Sequence, residues 1–125
     1  MKIQIRFVVD KGDLDHERLV FRVLRDVDLG DFMLVRTGFE DDQVTTHVLN
    51  TFWFPYKAAT AGDIVVVYSK TGGAKQKQIS DDRTAHFFYW CQDSPLWNDD
   101  DVAPVLLYAP EWVSKAPEEL AASSA

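Results

Sequence analysis

Cysteine is nearly absent. Cys91 stands alone, so no internal disulfide can form, and a reducing, cytoplasmic setting is the expectation. No run of about 18 apolar residues occurs, which excludes a transmembrane helix and gives no reason to expect a membrane partner. The start, Met1-Lys2-Ile3-Gln4-Ile5-Arg6, alternates apolar and polar residues where a signal peptide would carry a continuous apolar stretch. Basic charge is also scarce: 13 Lys and Arg stand against 20 Asp and Glu, a net of −7. That balance argues against non-specific nucleic-acid binding, which depends on Lys and Arg neutralising phosphates. Internal repeats, low-complexity linkers and amphipathic helical stretches of useful length are missing as well.

What is there is a dense apolar and aromatic inventory. Of 125 residues, 46% are hydrophobic and 13% aromatic, enough for one domain with a core that folds without disulfide or metal. The acids are unevenly spread. Residues 1–92 carry 12 basic and 13 acidic side chains, whereas residues 93–125 carry one basic and seven acidic ones. The expected organisation is a single domain over residues 1–116, followed by a flexible acidic, small-residue tail over 117–125.

Short β-branched and aromatic runs separated by turn residues predict strands. Residues 2–9 alternate, and Asp10-Lys11-Gly12-Asp13 is turn chemistry. In Leu19 to Leu24, β-branched and aromatic content favours a strand over the helix that Arg18, Arg22 and Arg25 would also fit. Residues 26–31 read as a connection, Phe32 to Arg36 as a short strand, Gly38 to Gln43 as a polar loop, and Thr45 to Phe54 as a strand ended by Pro55. Ile64 to Tyr68 is apolar on both faces and predicts a central, doubly covered strand. A long polar loop is expected over residues 71–83, then strands over Thr84 to Cys91 and Val102 to Tyr108, with Pro104 marking an edge or bulge. Seven to eight short strands spaced in this way predict an all-β, antiparallel β-sandwich or small barrel.

The second half carries a family likeness. Phe54-Pro55, then Ala61-Gly62-Asp63 leading into Ile64 to Tyr68, then Phe87-Phe88-Tyr89-Trp90, Leu96-Trp97-Asn98-Asp99-Asp100-Asp101 and Val105 to Tyr108 follow one another as in lamin tail domains. Val27-Asp28-Leu29-Gly30-Asp31-Phe32-Met33-Leu34 is similar to a further segment of that family. The chain departs from the pattern where Asp99-Asp100-Asp101 lacks a Gly and where Gly30-Asp31 stands in place of Ser-Gly. The resemblance covers roughly residues 18–109. It implies an immunoglobulin-like sandwich and an interaction module.

Catalytic and metal chemistry find little footing. Cys91 with His86, or Ser69 with His47, are the available nucleophile–base pairs; five positions apart on one strand, Cys91 and His86 face opposite sides, and Cys91 reads as an inert, part-buried residue. His16, His47 and His86 lie about thirty residues apart and lack zinc-ligand spacing. The acidic loops Glu40-Asp41-Asp42 and Asn98 to Asp101 lack the full spacing of a calcium loop and read as solvated turns. No enzyme, metal or cofactor is therefore expected.

The aromatics are the richest signal. Alternation puts Phe87 and Tyr89 on one face and Phe88 and Trp90 on the other, and only one face of a sheet belongs to a core. Either the second face is covered, with the segment around Trp112 and Val113 as the candidate cover, or it is offered to a partner. The expected function is a non-enzymatic protein-interaction module, self-association included, with Trp53, Tyr56, Trp90, Trp97 and Asn98 as partner-binding candidates. The alternative is a glycan- or nucleic-acid-binding module that uses Trp53 and Trp97 as stacking platforms beside Lys70, Lys75 and Lys77, the anionic-ligand candidates.

Overall fold

The computed structural model describes residues 1–122, which are mostly β. Ten strands follow in order: β1 (Ile3–Val9), β2 (Arg18–Val23), β3 (Val27–Asp28), β4 (Phe32–Glu40), β5 (Gln43–Trp53), β6 (Ala58–Ala59), β7 (Ile64–Tyr68), β8 (Lys75–Ser80), β9 (Arg83–Tyr89) and β10 (Val102–Tyr108). Eight have five residues or more; β3 and β6 have two each and pair with each other. Two 3-10 turns, Leu29–Asp31 and Pro117–Leu120, are the helical elements among the described residues, and no helix is long and apolar enough to cross a membrane. The tail expected over 117–125 has its 3-10 turn at Pro117–Leu120, with no buried residue; residues 123–125 of it lie outside the described part.

A five-stranded sheet has the order β1-β2-β7-β9-β8, and a three-stranded sheet the order β10-β4-β5. Alternation decides which side chains enter the core. In β2, Leu19, Phe21 and Val23 are buried; in β7, Val65 and Val67; in β9, Phe88. They share one apolar cluster with Phe32 and Leu34 of β4. Aromatic contacts join the two sheets: Phe52 reaches Phe88 and Trp90 at 6.2 and 5.8 Å, and Phe54, just past β5, reaches Phe21 and Phe88 at 6.2 and 5.3 Å. Fully burying one such Phe is worth roughly 1.5–3 kcal/mol over leaving it exposed.

Several sequence expectations need correction. The sheets are not antiparallel throughout, since β7 and β9 run parallel. After β7 the chain crosses to the far edge of the sheet, lays down β8, and reverses through Asp81-Asp82 into β9. Two reversals restore the original direction. The expected polar loop over 71–83 is therefore largely the β8 strand, whose side chains are all exposed. Its polar composition hides it because neither face meets a core. Likewise the loop expected from Gly38 to Gln43 shrinks to a two-residue turn, Asp41-Asp42, with φ of 53° and 62°. Asp tolerates this left-handed backbone, and such turns match the twist of a hairpin. Pro104 does lie on an edge strand: among the described residues β10 pairs only with β4, so its missing N–H costs no ladder bond on the open side.

Candidate binding face

One face of the five-stranded sheet belongs to the core, and the opposite face carries the candidate site. Cross-strand registers put side chains of that outer face into three rows. The first runs Arg18, Tyr68, Tyr89. The second runs Phe7, Val20, Val66, Phe87, Lys75. The third runs Arg22, Ile64, Ala85, Lys77. An apolar stripe thus crosses the sheet between cationic margins. Four strand spacings give it a length of about 19 Å. Val66 and Ala85 are buried within it, flanked by larger side chains. The double cover expected for Ile64 to Tyr68 is thus half a layer of core and half a mat of long neighbours.

The aromatic row is held upright. Tyr68 and Tyr89 stack at 5.1 Å and 10° between planes, with Phe87 tilted 6.5 Å from Tyr68. Arg18 and Lys70 lie over the Tyr68 ring at 5.7 and 5.2 Å, both within cation–π range. Gly72 backs the Tyr89 ring so closely that an added Cβ would sit 2.4 Å from it, which leaves no room for any other residue there without moving the ring.

Charge is concentrated here. Arg6, Arg18, Arg22, Lys70, Lys75, Lys77 and Arg83 stand on or around this face, seven of the 13 basic residues. Arg18 has Asp10 at 3.4 Å; the other six have no carboxylate within salt-bridge distance among the described residues. Two shallow depressions mark the ends of the stripe. One, of about 140 Å³, lies among Arg6, Phe7, Arg22 and Arg83. The other, of about 460 Å³, lies among Tyr68, Phe87, Tyr89, Lys75 and Lys77.

The sequence candidates divide. Lys70, Lys75 and Lys77 do gather on this face. Trp90 and Trp97 do not: they are 7% and 4% exposed and meet each other in the core at 6.0 Å. Trp97 lies in a loop, as its Pro- and Asp-rich neighbourhood suggests, yet the loop folds inward, so neither ring offers a surface to a partner or serves as a platform. Trp53, the last residue of β5, and Tyr56, three positions on, are 44% and 60% exposed and belong to the side of the three-stranded sheet rather than to this face. Trp53 Nε1–H donates to the Gly30 carbonyl at 2.8 Å. Trp112 packs edge-on against Trp53 at 5.3 Å and donates its Nε1–H to the Tyr56 hydroxyl at 3.0 Å. The cover anticipated from the Trp112 segment thus falls on this pair. Asn98 is exposed beside Gly12, and Cys91 is exposed rather than part-buried, because β9 ends at Tyr89 and Cys91 takes a left-handed φ of 61°. Among the described residues no three His, Cys, Asp or Glu side chains gather as metal ligands.

Beneath the edge of the face lies a buried polar pair. Asp63 accepts from the Thr60 and Thr84 backbone N–H groups, each at 3.0 Å, and from His86 Nε2 at 2.9 Å. Burial works to raise the Asp63 carboxyl, but the bonds from His86, Thr60 and Thr84 together with the nearby His86 charge outweigh it, and the group is held below its ordinary value of 3.8. A carboxyl depressed on folding stabilises the fold above its unfolded pKa, and that contribution is lost as pH falls through the folded value. The wild type should therefore lose stability below about pH 3.8, and Asp63→Asn should flatten that part of the curve. Urea titrations from pH 5 to 2 check this; parallel curves for the two proteins would remove Asp63 from the explanation.

Sequence reading also missed Glu17, the most enclosed acid. Its carboxylate accepts from Gly12 N–H at 2.7 Å, Leu96 N–H at 2.7 Å, Trp97 N–H at 3.4 Å and the Ser69 hydroxyl. It pins the β1–β2 turn, the end of β7 and the Trp97 loop together. Enclosure removes it from any contact with a ligand. Phe7, Arg18 and Arg22 were missed as site residues too, although the alternation of Val20 and Arg22 with buried Leu19, Phe21 and Val23 carries that signal.

No protein-family model matches this chain, and a search of curated proteins finds no match either.

Proposed function

We propose that this chain is a non-enzymatic binding domain, an immunoglobulin-like β-sandwich of the lamin-tail type, that engages an anionic macromolecule through the outer face of its five-stranded sheet. One observation carries the reading. Seven of 13 cations share one face of a chain whose net charge is −7, and six of them have no acidic partner among the described residues. Like charges brought together repel one another, so such a cluster costs free energy unless a ligand of opposite sign answers it. The apolar stripe between the margins adds contact area that a bare ion site would not have. The two-sheet core and its aromatic bridges support the sandwich reading.

Retention on immobilised heparin tests it. The wild type, despite a sequence pI near 4.8, should be retained at low salt and elute as salt rises, because the patch rather than the net charge governs contact. A Lys75→Glu/Lys77→Glu/Arg22→Glu variant should flow through while melting as the wild type does. Flow-through of the wild type at 20 mM salt would refute the reading.

A protein partner is the second reading, favoured by β8. Among the described residues this strand pairs only with β9, leaving the other edge of Lys75–Ser80 open to an added strand, from another protein or from a second copy of this chain.

A further inference from the structure

We infer that the anionic ligand of this face is a single-stranded nucleic acid, bound with its bases toward the apolar stripe and its phosphates against the cationic margins. The inference rests on the binding-face reading above and adds the identity of the polymer. The charge of a sulfated or carboxylated chain would be answered by the cations, whereas a nucleic acid also carries flat aromatic bases. This face sets an apolar stripe between its cations, and a phenyl ring lines a depression toward each end of it: Phe7 with Arg6 and Arg22 at one end, Phe87 with Lys75 and Lys77 at the other. An apolar cavity of about 150 Å³ is known to admit a benzene ring; the depression beside Phe87, about 460 Å³, exceeds that, and the one beside Phe7, about 140 Å³, comes close to it. Unpaired bases supply planar rings at intervals along a polyanion, whereas a duplex keeps its bases stacked inside and presents mainly phosphate to a flat sheet. Among the described residues the helical elements are two 3-10 turns of three and four residues, too short to serve as a recognition helix in a duplex groove. The stripe, about 19 Å long, matches the low end of single-strand site sizes, roughly four nucleotides. Recognition by aromatic rings and point charges predicts little sequence preference. The net charge, which argues against nucleic acid for the chain as a whole, does not govern here, because seven of the 13 cations gather on this face and a ligand seated on it responds mainly to charges within the roughly 8–10 Å screening length.

The test is fluorescence anisotropy of a labelled ten-nucleotide oligothymidylate, with unlabelled duplex of equal length and heparin as competitors. The expected result is binding to the single strand at least tenfold tighter than to the duplex. Affinity should fall with salt at a slope near −0.7 for each phosphate neutralised, and Lys75→Glu/Lys77→Glu should shallow that slope by about 1.4. Phe7→Ala, at an exposed position, should weaken binding about tenfold with the slope unchanged, which separates stacking from charge. Heparin binding that the charge variant abolishes, with no preference for the single strand over the duplex, overturns this inference and leaves the binding-face reading standing. Binding to neither polyanion overturns both. Single-strand binding that neither variant changes overturns the placement on this face.

Discussion

Glu17→Ala is expected to lower the stability of the fold by about 3–6 kcal/mol, the sum of several buried donors left without an acceptor at roughly 1–3 kcal/mol each. Four groups point at this carboxylate from three separate stretches of chain: Gly12, Ser69, and the neighbouring Leu96 and Trp97. Alanine removes the acceptor and leaves the Leu96 and Trp97 N–H groups in a space that water reaches poorly. Domains of this size have only about 5–15 kcal/mol of total stability, so the variant should be partly unfolded at moderate denaturant where the wild type is intact. Glu17→Gln keeps the shape and one oxygen, but its amide N–H₂ must face donors, and an intermediate loss is expected. Urea unfolding with an unchanged m-value measures both. An alanine variant within about 1 kcal/mol of wild type would mean that water or a shifted loop replaces the carboxylate.

Trp97→Ala is expected to cost about 3–5 kcal/mol, the range for removing a large aromatic from a close-packed core. Its ring is 4% exposed and packs against Trp90, which in turn touches Phe52 of the other sheet. Trp53→Ala should cost less, about 1–2 kcal/mol, because that ring is half in solvent and loses one hydrogen bond and one edge contact with Trp112. Thermal melts of the two variants side by side check the ranking. The reverse order would place Trp97 at the surface and return it to the list of partner contacts. Neither substitution touches the cationic face, so both variants, where folded, should keep the wild-type response to heparin.

These two residues show how far sequence reading goes. A Trp flanked by Pro95 and by Asn98 to Asp101 looks like a loop-tip aromatic, because polar neighbours usually mean solvent. The neighbours are indeed solvated; the Trp is not, since Glu17 from a turn about eighty positions away draws the loop backbone inward. Nothing local announces that contact. The same holds for Lys75 and Lys77, legible as a basic cluster but not as part of a strand. Phe87 and Tyr89 were legible as the face opposite Phe88 and Trp90. Which face the core takes is confirmed only by burial of Phe88 and Trp90.

By itself the sequence determined the longer strands other than β8, the alternation of Leu19, Phe21 and Val23 with Val20, Arg22 and Leu24, and the place of Pro104 at an edge or bulge. Period-two alternation and turn chemistry are local, and they act over a few residues. Only the tertiary structure decided that β7 and β9 run parallel, that Trp97 is core, and that cations from β1, β2, β8 and β9 meet around one apolar stripe. Those outcomes depend on which strands become neighbours. Neighbour choice is set by long-range packing of whole faces, where net charge and residue order along the chain carry no information about which charges end up side by side.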